Sequence, residues 1–306
     1  MNPPKIFSGS SNPDLASAIS KKSHIALGKI EIGHFSDGEI DVWIQDEINN
    51  SVAFIVQSNS FPVNDHIIEL SLISDALRRS GAHQIIAVIP YFGYSRKEKQ
   101  SRPGEPISAK VVADLITSTG INKVVCLDLH ADAIVGFFNV PVIYLSALEV
   151  LASSLKKEKF TNPVVVAPDV GGVKRARNFA SILNWPMAVI EKHRFTDQRE
   201  KIEILSMSGE IKGDTAVIVD DVISTGGTVI ESAQALKDKG VKKVIVCAAH
   251  GVFADNALKR LEESCIDKVV VTDSIPQHEK SPKLEVVSVA SLIADCLAKE
   301  IREFSR

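Results

Sequence analysis

The sequence is short of several features that would point to a function directly. Among its 306 residues only four are cysteine, and the formal net charge is −3. Cys126, Cys247, Cys265 and Cys296 are scattered and show no metal-type CxxC spacing. Three of them sit inside apolar runs, where a buried, reduced thiol is the simplest reading. A slightly acidic chain lacks the bulk positive charge expected of a nucleic-acid binder. No apolar run approaches the ~20 residues of a membrane span, and the opening MNPPKIFSGSS has no apolar core of the signal-peptide kind. Neither GxxxxGK[ST] nor GxGxxG occurs, which removes the P-loop kinase and Rossmann readings. The expectation is a cytoplasmic protein with neither nucleic acid nor membrane as a partner.

What the sequence does contain is one unit written twice. SVAFIVQS at 51–58 resembles DTAVIVDD at 214–221, and each is followed by a loop, an amphipathic helical pattern, a glycine and a second apolar strand. Upstream, KIFSGSSNPDLASAIS (5–20) parallels VVVAPDVGGVKRARNFASIL (164–183), and GKIEIGHFSDGE (28–39) parallels MAVIEKHRFTDQRE (187–200). Strands alternating with helices imply βαβ units and a mostly parallel sheet. The expected fold is therefore α/β, with two similar domains spanning 1–145 and 146–306.

The copies part company where chemistry would sit. The first has Gln57-Ser58-Asn59-Ser60, whereas the second has Asp220-Asp221 followed by Ser224-Thr225-Gly226-Gly227-Thr228. Ala216–Val219 reads as a strand covered on both faces, with the two acids where it should emerge. Ligands of open α/β sheets sit at such carboxyl ends. The helix that begins beyond the loop offers backbone N–H groups and a favourable dipole to an anion. Gly226 and Gly227 let that backbone come close to a phosphate, while Ser224, Thr225 and Thr228 add hydroxyl donors. Two carboxylates would repel a phosphate, so they suit vicinal sugar hydroxyls, with or without a bridging Mg²⁺. A sugar phosphate is the ligand inferred.

The loop VIVDDVISTGGT resembles the phosphoribosyl diphosphate loop of type I phosphoribosyltransferases. With HFSDGE (34–39), QSNSFPVNDHIIEL (57–70), PYFGYSRKEKQSRPGEPISAK (90–110), DLHADAIVGFF (128–138), PDVGG (168–172) and EKHR (191–194), the whole chain resembles the ribose-phosphate diphosphokinase family. That resemblance implies two phosphoribosyltransferase-like domains. It also implies transfer of the β,γ-diphosphoryl group of Mg-ATP to the 1-hydroxyl of ribose 5-phosphate, giving phosphoribosyl diphosphate and AMP. Lys192 and Arg194 match the family's catalytic lysine and arginine. Two apart in an extended segment, they would point to one side of it and give a point charge and a fork to the migrating phosphates.

His130 matches the family's Mg²⁺ and triphosphate histidine, and Asp169 its second acidic metal or ribose contact. Asp128, two residues before His130 at the end of an apolar strand, is expected to share its face. Phe35, Asp37 and Glu39 match adenine contacts offered to the ATP site of a neighbouring subunit, so a homo-oligomer with shared sites is expected. Arg96 matches an ATP-binding arginine. Lys97-Glu98-Lys99 and Ser224 depart from the family's common pattern. An ordinary phosphoribosyltransferase, or a non-catalytic relative retaining the fold, remain as alternatives.

Overall fold

The computed structural model describes residues 2–194, 202–208 and 214–304, and the chain forms two compact units. The first comprises Met1–Ser146 with Ser274–Pro276 and Ser288–Arg306. Its elements are β1 (Lys5–Ser8), α1 (Pro13–Ser23), β2 (Ala26–Leu27), β3 (Ile30–His34), β4 (Ile40–Ile44), β5 (Val52–Val56), α2 (Val63–Arg79), β6 (Gln84–Ile89), α3 (Ser108–Thr117), β7 (Lys123–Leu127) and β8 (Val142–Leu145). Strands β2-β1-β5-β6-β7-β8 pair in that order, all in parallel. All five residues of β5 are buried. This is why VAFIV reads as an unbroken apolar run and not as an alternation. On α2, Ile67, Leu70, Ile73 and Leu77 recur at helical spacing and enter a core with Phe7, Ile55, Ile85 and Ala87. Each such side chain taken from water contributes about 1.5–3 kcal/mol.

The second unit, Ala147–Asp273 with Gln277–Val287, repeats the plan. It holds α4 (Leu148–Leu155), β9 (Pro163–Ala167), α5 (Val173–Leu183), β10 (Met187–Arg194), β11 (Ile202–Ser208), β12 (Thr215–Ile223), α6 (Gly227–Asp238), β13 (Lys243–Gly251), α7 (Ala257–Glu263), β14 (Lys268–Thr272) and β15 (Leu284–Val287). The sheet order is β11-β10-β9-β12-β13-β14-β15, parallel except for the antiparallel β10–β11 pair. The run β9-β12-β13-β14-β15 thus reproduces β1-β5-β6-β7-β8. The internal repeat is a repeat of topology.

The last helix, α8 (Ala290–Phe304), packs on α1 and belongs to the first unit. It buries Ile293, Ala294 and Leu297 there, and its Glu300 pairs with Lys123 of β7. A division into 1–145 and 146–306 places the first boundary one residue from that seen, but it assigns this helix to the other unit. All four cysteines are free thiols, and burial pushes those of Cys126 and Cys247 upward and that of Cys296 to about 11. No helix among the described residues is long and apolar enough to cross a membrane.

Candidate active site

In the second unit the strands β9, β10 and β12 deliver their carboxyl ends to one edge of the sheet. β12 is longer than its apolar run suggested. It continues through both acids to Ile223, because β13 offers Ala248, His250 and Gly251 as partners for Asp220, Val222 and Ile223. Asp220 and Asp221 are therefore strand residues near its end, and not the first residues of a loop. Asp221 is buried, and Asp220 Oδ1 accepts the Asp221 N–H at 2.9 Å. Both carboxylates reach one cation: Arg175 Nη1, from the first turn of α5, lies 3.1 Å from each. Burial above all, and then the neighbouring Asp221 charge, push the Asp220 carboxyl from 3.8 up to about 7 against the pull of Arg175.

The loop after the acids turns at Gly226, whose φ of +79° is the left-handed region that favours glycine. Leu261 of α7 lies under that turn, 3.5 Å from where a Cβ would stand. Arg260 of the same helix donates to the Thr225 carbonyl, so α7 holds the loop from outside. Among the described residues no side chain caps the start of α6. A Cβ placed on Gly227 would meet nothing within 4 Å, so the backbone there faces open space. Ser224 and Thr228 are half-buried and Thr225 is exposed. Backbone donors, hydroxyls and an open approach are thus gathered at one helix start, as an anion requires.

Asp169 lies in the turn between β9 and α5, exposed, with its Oδ1 accepting the Gly172 N–H at 2.9 Å. β9 pairs with β12, so this turn and the acids occupy the same sheet edge. Lys192 and Arg194 are on β10, which pairs with β9 as far as Val189 and then runs on with β11, Lys192 opposite Ile204 and Arg194 opposite Ile202. The register slips between Glu191 and Lys192, a local irregularity of the kind found beside functional sites. The side chains of Lys192 and Arg194 lie outside the described part of the protein.

The remaining candidates are in the first unit. HFSDGE forms the tip of the β3–β4 hairpin, closed by Phe35 N–H to the Glu39 carbonyl (2.8 Å) and Gly38 N–H to the Phe35 carbonyl (2.9 Å). Asp37 Oδ1 accepts the Glu39 N–H, so this carboxylate also shapes its own turn. The Phe35 ring stands 55% exposed at the tip, available to stack on a planar ligand. Arg96 is exposed in the segment between β6 and α3. Asp128 corrects an expectation. Strand β7 stops at Leu127, and Asp128 is buried with φ +38°, its Oδ1 accepting from Ser146 Oγ at 3.1 Å. Strand alternation therefore does not run through to His130, which is exposed. Among the described residues no group of three or more His, Cys, Asp or Glu side chains is gathered as a metal cluster. Arg175 and Arg260 were not singled out from the sequence. Arg175 sits in the basic stretch VKRAR, whose only visible signal was charge.

Two parallel-sheet α/β units, one bearing an acidic strand end and a glycine-hydroxyl loop, define a sugar-phosphate-handling protein of the phosphoribosyltransferase type. Residues 4–120 match the family described as the N-terminal domain of ribose phosphate pyrophosphokinase, and residues 191–305 match the phosphoribosyl synthetase-associated domain. The chain is 43% identical to a ribose-phosphate pyrophosphokinase of Fusobacterium nucleatum over 96% of this chain and 93% of that one. It is 45% identical to the Aquifex aeolicus protein of the same name, over 98% and 96%. The crystal structure of phosphoribosylpyrophosphate synthetase from Mycobacterium smegmatis is similar with a TM-score of 0.91 at 35% identity, covering 99% of both chains. The chain belongs to the ribose-phosphate pyrophosphokinase family.

Proposed function

We infer that the protein transfers the diphosphoryl group of ATP to the 1-hydroxyl of ribose 5-phosphate. The hydroxyl oxygen attacks the β-phosphorus and the bond from that phosphorus to the α-phosphate bridging oxygen breaks. The hydroxyl proton is given up, and AMP leaves with phosphoribosyl diphosphate as the other product. The observation that carries this reading is the β12–α6 loop. Its open backbone at Gly227 suits the 5-phosphate, and the Asp220–Asp221 pair suits the ribose hydroxyls as acceptors. Membership of the pyrophosphokinase family sets the reaction type.

Each residue has a role that follows from its chemistry. Ser224, Thr225 and Thr228 donate hydroxyls around the 5-phosphate, and Gly226 supplies the turn that aims the α6 N–H groups. Lys192 and Arg194, on the strand beside β9, bring positive charge to the migrating diphosphoryl group as its charge redistributes. Phe35 stacks on adenine while Asp37 and Glu39 accept from it, with Arg96 on the phosphates. A neighbouring subunit supplies this hairpin, so the enzyme works as a homo-oligomer.

Magnesium is the cofactor of this reading. The acids here are hard oxygen donors, and two largely shielded carboxylates that both reach the Arg175 guanidinium are suited to further positive charge nearby. Taken within each unit separately, Asp169 in the second and His130 with Asp128 in the first are the donors that the family resemblance offers to it. When bound, Mg²⁺ supplies neutralisation of the triphosphate. Incubation with Mg-ATP and ribose 5-phosphate, followed by ³¹P NMR, tests the reaction. AMP and phosphoribosyl diphosphate should appear together and only when both substrates are present. ADP as the nucleotide product, or no turnover, refutes it.

A further inference from the structure

Asp220 and Asp221 are consecutive residues of a strand, and consecutive strand side chains point to opposite faces. Both nevertheless reach Arg175 Nη1 at 3.1 Å. The same Asp220 Oδ1 also accepts the N–H of the following Asp221. The cluster is largely shielded, with side-chain exposures of 19% for Arg175, 20% for Asp220 and 6% for Asp221. Shielded carboxylates this close repel strongly, and a cation shared between them offsets part of that repulsion. A guanidinium suits the task because it remains charged at all working pH values and offers donors in a fixed plane. Its place on the first turn of α5 ties the acids to the PDVGG turn, where Gly172 begins that helix.

We propose that Arg175 is a positioning residue that presents Asp220 and Asp221 together, in one orientation, to the vicinal hydroxyls of ribose 5-phosphate. It acts through the two carboxylates, and its effect falls on the sugar and not on the nucleotide. This rests on the reading that the acids bind the ribose. Holding the acceptors in place before the sugar arrives lowers the ordering that binding must impose.

The test uses Arg175→Gln and Arg175→Lys in the full chain, with thermal unfolding to establish folding. Ribose 5-phosphate affinity is read by calorimetry and KM and kcat by the AMP assay. Arg175→Gln should weaken ribose 5-phosphate binding on the order of 10–100-fold, leave KM for ATP within about two-fold, and lower kcat less than it raises KM for the sugar. Arg175→Lys, with the charge but not the fork, should recover part of the loss. In the Arg175→Gln background, Asp220→Asn should cost much less than in the natural chain, because the two act as a unit. Unchanged sugar affinity in folded Arg175→Gln, equal losses for sugar and ATP, or additive effects with Asp220→Asn would each overturn the proposal. Should Arg175→Gln not fold, Arg175→Lys must still weaken sugar binding several-fold while sparing ATP, or the proposal fails. Calorimetry separates the two readings: a chain that binds ribose 5-phosphate through Arg175 without forming AMP refutes the reaction and retains the positioning role.

Discussion

The two units place the same strand ends to opposite uses. At the end of β1 and β5, Glu69 of α2 accepts from Ser10 N–H (2.7 Å), Ser10 Oγ (2.5 Å) and Gln57 Nε2 (2.7 Å), while Gln57 Oε1 accepts from Ser11 N–H. A Cβ on Gly9 would stand 2.1 Å from Gln57 Oε1. That end is filled by the protein's own side chains, with Glu69 2% exposed. At the end of β9 and β12 the acids belong to the strand, α6 carries Ser232 and Ala233 over its buried face, and the backbone at Gly227 meets nothing within 4 Å. One fold thus yields a closed polar plug at one strand end and an open strand end at the other. The difference lies in which element supplies the carboxylate: a helix residue pointing into the turn occupies it, whereas strand residues at the rim leave it free.

The sharpest way to break this comparison is through the strand beside the open end. Lys192→Ala or Arg194→Ala should lower kcat on the order of 10²–10³-fold each with little change in folding. A near-normal kcat in either variant removes that residue from the transfer. Gly227→Val tests the open space itself. It should raise KM for ribose 5-phosphate on the order of 10²-fold by blocking the phosphate, since a Cβ there stands in open space with nothing within 4 Å. Unchanged KM places the phosphate elsewhere.

The closed end should answer in stability instead. Glu69→Ala leaves two backbone or side-chain donors of Ser10 and the amide of Gln57 without their acceptor, a loss of about 2–4 kcal/mol measurable by denaturant unfolding. Substrate KM values of the folded fraction should hold. A folded Glu69→Ala protein with altered sugar affinity would mean that the first unit is not merely plugged.

Sharing between subunits is tested by mixing Phe35→Ala/Glu39→Ala protein with Lys192→Ala protein. Partial recovery of activity is expected when interfaces join two intact halves, and none, despite subunit exchange, confines each site to one chain. The smallest effect concerns pH. Asp220 titrates near 7 when folded and near 3.8 when unfolded, so the folded state binds the proton more tightly in between. Stability from this group is fully present below about pH 4 and is lost as pH rises through 7. Asp220→Asn should therefore raise the melting temperature at pH 8 more than at pH 4. A larger gain at the acidic end contradicts the assignment.

Much of this was legible in the residues. The duplication shows as repeated apolar runs because parallel strands buried on both faces cannot alternate, and so leave a strong signature. The SDGE turn and the GG pairs were equally plain, since left-handed or close-packed backbone requires such residues. Other features were hidden because they depend on partners distant in sequence. Asp220 and Asp221 read as loop residues, since their own polarity says nothing of the pairing that β13 gives them. Asp128 read as a face-mate of His130 because period two was carried one residue past the true strand end at Leu127. α8 read as part of the nearer domain, although its apolar face completes the surface of α1.

The sequence by itself determined the family, the two-fold α/β plan and the position of the glycine-hydroxyl loop, because these rest on local pattern: period, turn chemistry and the order of motifs. Only the tertiary structure decided which carboxylates are compensated and which turn is filled. Arg175 is 45 positions from Asp220 in the chain, and Glu69 is 59 from Ser10. Charges and hydrogen bonds act across space, within a few ångströms, and chain spacing carries no record of which distant groups folding will bring that close.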